Sequence, residues 1–184
     1  MMQQQDTIKY AANSLFESIE LPYGDKDYNM IIILPAPDKT VNEVTGSLNA
    51  QAWNDLLNSL SLRDVIVHMP KLKFEYNTDL KNTLSDMGME IAFTDNADFT
   101  GINPNGGLMI SSVKHKTFVE VNEEGTEAAA VTSIGVVGTS YPPEESGPVY
   151  FTVNRPFVLA IREKISGSIV FIGQVTNPLS TSNE

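Results

Sequence analysis

The chain contains no cysteine among its 184 residues. Disulfide bonds, thiolate zinc sites, iron–sulfur clusters and cysteine nucleophiles are therefore excluded within it. Basic residues are scarce as well, since 12 Lys and Arg stand against 23 Asp and Glu and the formal net charge is −11. Phosphate binding needs clustered cations, and the nearest approach to a cluster is Lys114-His115-Lys116. We therefore expect no nucleic-acid partner.

Long apolar runs are also missing, because no stretch approaches the roughly 20 consecutive apolar residues of a membrane-spanning helix. The opening Met-Met-Gln-Gln-Gln-Asp lacks the basic and then apolar pattern of a secretory signal. We therefore expect no membrane partner and no signal peptide in this chain. The apolar content is nevertheless 41%, with eight Phe, six Tyr and one Trp, which predicts a folded core in one domain of ordinary size.

Motifs for catalysis or metal binding are weak. The two histidines, His68 and His115, lie in strand-like runs without a nucleophile elbow nearby. Residues 103–107 carry glycines but lack the Lys-Ser/Thr that follows in a phosphate-binding loop. The acidic residues of 123–127 have no metal-ligand spacing and are interpreted as solvated charges. The chain is therefore predicted not to be an enzyme, with no cofactor and no metal site.

Apolar and β-branched runs bounded by turn residues dominate the sequence and predict a β-rich fold with a few short helices. Residues 16–21 and 28–34 are predicted to pair as an antiparallel hairpin, preceded by a strand in the first ten residues. Thr40 and Glu43 have the spacing of a capping box at the start of a helix. A second helix is predicted at 51–60, with Trp53, Leu56, Leu57 and Leu60 as core residues.

The rest of the chain alternates strands with one helix and one loop. Pro70 separates two strands, and Gly88 is expected to end a helix that begins at Asp79. The predicted strands are 65–67, 72–76, 108–121, 149–153, 157–161 and a buried final strand at 168–175, the predicted helix is 79–87, and the predicted surface loop is 95–107.

Residues 122–148 form a long connection without a predicted regular element, which is typical of a functional or disordered segment. In an extended conformation one face of its first part would carry no charge. That face consists of Thr126, Ala128, Ala130, Thr132 and Ile134. A segment that sometimes becomes a buried strand needs such a face, because an unpaired buried charge costs several kcal/mol.

Three blocks in the last third of the chain resemble the diagnostic motifs of the serpin family. The block at 123–130 resembles the hinge of the reactive-centre loop in inhibitory serpins, 151–161 resembles a second diagnostic block, and 171–178 resembles the C-terminal ending. Earlier segments that match in order are 21–23, 30–35, 69–72 and 115–116. The hinge residues that the resemblance assigns are Glu123, Glu124, Gly125, Thr126, Glu127, Ala128, Ala129 and Ala130.

The resemblance implies an α+β serpin-type fold of mainly antiparallel sheets, a few short helices and a long reactive-centre loop at about 122–148, followed by C-terminal strands at 149–176. Residues 1–184 would then be the C-terminal half of a single serpin domain. It also implies inhibition of a serine protease, or of a cysteine protease, by the suicide-substrate mechanism, in which the cleaved loop inserts into the main sheet.

In inhibitory members the scissile residue usually lies fourteen positions after the hinge glycine, so the resemblance predicts cleavage between Thr139 and Ser140. No Lys or Arg occurs from position 125 to 154, which disfavours trypsin-like proteases. The small and β-branched residues before the bond favour an elastase-like or subtilisin-like target. Tyr141 leaves a chymotrypsin-like protease as the less favoured alternative.

His115 resembles the histidine of the region beneath the opening sheet, where a hydrogen bond from its imidazole would help to hold the closed form. The alternative is a strand histidine without a switching role, and the sequence does not separate the two.

Complete serpins are roughly twice as long as this chain. The favoured interpretation is therefore an inhibitor whose N-terminal half is supplied by a separate chain. The alternative is a truncated, non-inhibitory module that pairs its exposed sheet edge with a partner or a second copy. The resemblance alone favours an extracellular or cell-surface location.

Overall fold

The computed structural model describes residues 1–23, 27–121 and 147–178. Within these residues no helix is long and apolar enough to span a membrane. Nine strands lie in the described part of the chain, namely β1 (Met2–Ala12), β2 (Phe16–Tyr23), β3 (Tyr28–Pro35), β4 (Ser61–Met69), β5 (Leu72–Asp79), β6 (Lys114–Val121), β7 (Val149–Thr152), β8 (Phe157–Glu163) and β9 (Ile169–Val175). The helices there are α1 (Val41–Ser47), α2 (Ala50–Ser59) and α3 (Lys81–Leu84), and α3 continues into a π-helical turn (Ser85–Met89) and a 3-10 turn (Glu90–Phe93).

The chain divides into two compact units, and the first combines Met1–Leu72 with Val121–Glu184. Seven strands of this unit form one sheet in the order β7-β4-β1-β2-β3-β8-β9. Neighbouring strands are antiparallel except β4 and β7, which run parallel. The predicted hairpin of β2 and β3 is confirmed, and so is the strand in the first residues.

One hydrophobic core cluster of this unit lies where α1 and α2 cover one face of β3 and β8. Its buried side chains alternate along the strands, because successive residues of a strand point to opposite faces. The cluster consists of Phe16, Ile31, Ile33, Val41, Val44, Leu56, Val158 and Ala160. Of the four predicted helix core residues, Leu56 is buried, whereas Trp53, Leu57 and Leu60 are half-buried.

The start of α1 is the predicted capping box. The Thr40 hydroxyl accepts a hydrogen bond from the Glu43 amide at 3.2 Å, and the Glu43 carboxylate accepts from the Thr40 amide at 2.8 Å. These hydrogen bonds hold the pKa of the Glu43 carboxyl below its usual value. They satisfy backbone donors that would otherwise be unpaired at the helix start.

The second unit, Lys73–Glu120, contains most of the two-stranded sheet of β5 and β6. The prediction of a helix over 79–87 is wrong in length, since only four residues are α-helical before the π-helical turn. Gly88 adopts φ +100° within that turn, a backbone conformation that favours glycine. Met87 is 76% exposed, whereas Leu80 and Leu84 are half-buried.

Two further expectations need correction. The strand predicted over 108–121 forms only from Lys114, and residues 108–113 have no regular structure. The final strand, β9, lies at the edge of its sheet with several apolar side chains in water rather than buried. The predicted loop at 95–107 is confirmed as turns, in which Gly106 and Gly107 have positive φ.

Candidate functional site

The predicted hinge and the predicted bond between Thr139 and Ser140 lie outside the described residues. Both remain predictions. The structure describes the two strands between which this segment runs, because β6 ends at Val121 and β7 begins at Val149.

Strand β6 leads into the candidate loop with one buried and one exposed face. Val119 and Val121 are buried, whereas Phe118 is 55% exposed and Glu120 is exposed. Val119 and Val121 are two positions apart, so their side chains point to the same face, and Phe118 and Glu120 point to the other. The strand therefore enters the candidate loop with its orientation fixed by the two valines.

The carboxylate of Asp79 holds the start of β6 against the end of β5. It accepts hydrogen bonds from the Lys81 amide at 2.9 Å and the Lys114 ammonium at 3.0 Å, and the Leu80 amide donates to the Val113 carbonyl at 2.8 Å. The Lys81 bond, followed by that of Lys114, keeps the pKa of the Asp79 carboxyl below its ordinary value.

His115, the predicted sheet-opening residue, is the second residue of β6 and is exposed. Its imidazole makes no hydrogen bond to any residue that the structure describes. A role in holding the closed form therefore stays a prediction that depends on a partner beyond these residues.

Strand β7 anchors the other end of the candidate loop. It pairs in parallel with β4, with Val65 opposite Val149 and Val67 opposite Phe151, and the Val153 amide then donates to the His68 carbonyl at 2.8 Å. Phe151 and Val153 are fully buried. The chain that leaves the loop is therefore fixed by backbone pairing and by two buried side chains.

The outward face of β7 carries Tyr150, which is 66% exposed. Its ring lies parallel to that of His68 on β4, with an interplanar angle of 6° and 6.5 Å between the ring centroids. The Nδ1 atom of His68 is buried and has no hydrogen-bond partner. Local sequence pattern does not single out Tyr150, since the pairing of β7 with β4 joins segments about 85 positions apart.

Arg155 fixes the connection that follows β7. Its Nε donates to the Pro35 carbonyl at 2.8 Å, and its Nη2 lies 3.3 Å from the Glu17 carboxylate. Glu17 also accepts from the Tyr10 hydroxyl at 3.4 Å. Burial, and then the neighbouring Glu17 charge, raises the pKa of the Tyr10 phenol. Sequence reasoning missed this role, although Arg155 is the first basic residue after position 116.

The opposite edge of the sheet is β9, where apolar side chains meet water. Ile169, Val170 and Ile172 are 42%, 58% and 54% exposed. A strand that is apolar on both faces is normally covered on both. Among the described residues no strand pairs with the outer edge of β9.

The described residues contain no group of three or more acidic, histidine or cysteine side chains arranged to hold a metal ion. Strand β6 precedes and β7 follows the 25-residue segment 122–146 in the sequence, and each strand is held by neighbours of its own.

Comparisons with known proteins identify relatives over nearly the whole chain. The model of the family "Serpin (serine protease inhibitor)" matches residues 1–178. Antithrombin-III of Mus musculus is 38% identical over 182 residues, which are 97% of this chain and 38% of that protein. A serpin-like protein of Thermococcus kodakarensis is 37% identical over 97% of this chain and 41% of its own length.

The fold agrees with these matches. The native structure of tengpin, a thermophilic serpin, superimposes with a TM-score of 0.74 at 33% identity, covering 96% of this chain and 45% of tengpin. The predicted mixed fold with a large, mainly antiparallel sheet is thereby confirmed. The chain spans less than half the length of these relatives.

Proposed function

Because the chain belongs to the serpin family, we propose that it inhibits a serine protease, with residues 122–148 as the reactive-centre loop. The family consists of protease inhibitors rather than enzymes, in line with the expectation that the chain is not an enzyme. The observation that carries the proposal is the pair of anchored strands at the two ends of this segment. Strand β6 precedes it with two buried valines, and β7 follows it in parallel with β4.

The proposed chemistry is the suicide-substrate mechanism that the family resemblance implies. The serine oxygen of the protease attacks the carbonyl carbon of Thr139, the amide bond to Ser140 breaks, and Ser140 becomes a new amino terminus. The ester that remains would normally react with water. Insertion of the cleaved loop as a β-strand carries the acylated protease away before that reaction. The uncharged face that begins at Thr126 permits burial of the inserted strand without an unpaired charge.

The target is proposed to be elastase-like or subtilisin-like. The absence of Lys and Arg from position 125 to 154 removes the side chain that a trypsin-like specificity pocket requires. Val136, Val137 and Thr139 are small or β-branched residues before the proposed bond. A chymotrypsin-like protease that cleaves after Tyr141 is the alternative.

Inhibition by insertion needs more polypeptide than this chain contains. The relatives are more than twice as long as the segment they share with it, and β9 leaves Val170 and Ile172 in water. We propose that the N-terminal half of the fold, from the same or a separate chain, covers these residues. Pairing of the β9 edge with a second copy, in a non-inhibitory binding module, is the alternative that the same exposure supports.

Incubation with active elastase, and separately with subtilisin, tests the proposal. The expected product is a covalent complex that survives denaturing electrophoresis, together with a released peptide that begins at Ser140. Complete cleavage of the loop without any complex, with or without an added N-terminal half from tengpin, would favour the non-inhibitory module. Size-exclusion chromatography with light scattering would then distinguish a β9-dependent dimer from a monomer.

A further inference from the structure

We propose that Tyr150 is a second contact for the target protease, outside the reactive-centre loop. The inference rests on the proposed function, because it extends the same protease interface onto the sheet at the point where the loop ends. It assigns a role in recognition to a residue that takes no part in the cleavage.

The position of Tyr150 is fixed although its side chain is exposed. Its neighbour Phe151 is fully buried, and Tyr150 itself pairs with Ile66 in the parallel register of β7 and β4. Alternation along the strand therefore directs the Tyr150 ring outward. A large aromatic side chain that is 66% exposed on an otherwise well-packed strand is available for a partner.

The ring is also restrained before any partner arrives. The parallel ring of His68 lies beside it, and His68 is itself half-buried on β4. The Tyr150 hydroxyl has no hydrogen-bond partner among the described residues. A restrained aromatic ring with a free polar tip loses little conformational entropy on binding, and tyrosine is enriched among the residues that dominate interface energies.

Chain connectivity favours the protease as the occupant of this surface. Only Gly147 and Pro148 separate the candidate loop from β7, and the proposed bond lies ten residues before Tyr150. Ten residues span at most about 35 Å. A protease–inhibitor interface involves about 20–30 residues on each side, so residues beside the ends of the loop have room to take part in it. Tyr150 is the exposed aromatic residue that lies next to the end of the loop in sequence.

The test measures docking without acylation. Elastase and subtilisin, each with its catalytic serine replaced by alanine, are titrated against the wild-type chain and its variants, and Kd is determined. We expect Tyr150→Ala to raise Kd about tenfold or more, and Tyr150→Phe to raise it less because the ring remains. Ile165→Ala is the matched control, since Ile165 is 94% exposed in the turn between β8 and β9, and its Kd should stay within about twofold of wild type.

The inference is overturned if Tyr150→Ala leaves Kd unchanged, or if Ile165→Ala raises Kd as much as Tyr150→Ala does. It is also overturned if the wild-type chain binds neither inactive protease. The outcome is separable from that of the proposed function. If docking depends on Tyr150 but active protease is never trapped, the contact stands and the inhibitory mechanism fails.

Discussion

The guanidinium of Arg155 lies 3.3 Å from the carboxylate of Glu17 and ties the chain after β7 to the second strand of the sheet. Both side chains are about three-quarters buried, at 27% and 23% exposure. Arg155 also donates to the Pro35 carbonyl. The end of the candidate loop is thus held by a charge pair as well as by strand pairing.

Replacement of Arg155 should therefore destabilise the fold. Arg155→Ala removes the ion pair and the bond to Pro35 and should lower the free energy of unfolding by about 1–2 kcal/mol. Lys39→Ala is the control, since the Lys39 ammonium lies 3.6 Å from the exposed Asp38, and the change there should stay below about 0.5 kcal/mol. Urea denaturation measures both, and equal effects would contradict the role of Arg155.

Truncation of two adjacent residues of β7 should destabilise the fold to very different degrees. Phe151→Ala leaves a cavity at a fully buried position and should cost about 3–5 kcal/mol. Tyr150→Ala alters an exposed side chain and should cost less than about 1 kcal/mol. Thermal and urea unfolding compare the two, and a large loss in Tyr150→Ala would mean that β7 is oriented differently from the structure.

Two glycines offer a second matched pair. Apart from the adjacent residues and the helix backbone, no atom lies within 4 Å of a Cβ added at either Gly88 or Gly46. The effect of each substitution on stability therefore depends on the backbone conformation. An alanine at position 88 must adopt φ +100°, so Gly88→Ala should lower the free energy of unfolding by about 1 kcal/mol. Gly46 lies in α1, where alanine is the better helix former, so Gly46→Ala should raise the free energy of unfolding by about 0.5–1 kcal/mol. If the two substitutions change the free energy of unfolding in the same direction, the positive φ of Gly88 within the π-helical turn would be contradicted.

His115→Ala tests the sheet-opening prediction. If His115 helps to hold the closed form, the substitution should change the melting temperature or the rate at which the assembled inhibitor becomes latent. Lys116→Ala is the control because Lys116 is the next exposed residue of β6. Calorimetry and residual inhibition after incubation measure the two effects. Identical behaviour of His115→Ala and wild type in both would remove the switching role.

Local features were predictable because they depend on residues close in sequence. The capping box of Thr40 and Glu43 and the β2–β3 hairpin follow from spacing and turn composition. The serpin motifs likewise predicted the family.

Features that depend on distant partners were not predictable from local pattern. The apolar run of β9 predicted a buried strand, yet burial depends on what covers the strand, and β9 is an edge. The parallel pairing that exposes Tyr150, and the contact of Arg155 with Glu17, join segments far apart in the chain. The π-helical turn at Gly88 arises where the helical pattern of 79–87 meets a residue with positive φ.

The stoichiometry of protease inhibition by hinge variants decides whether the cleaved loop inserts into the sheet. The wild-type chain, completed by an N-terminal half where one is required, is titrated with elastase together with Thr126→Arg and Glu127→Arg. Thr126→Arg places a cation on the face that must be buried, so it should be cleaved as a substrate without trapping the protease. Glu127→Arg lies on the opposite face and should inhibit as wild type does. Unchanged stoichiometry in Thr126→Arg would contradict insertion of this loop.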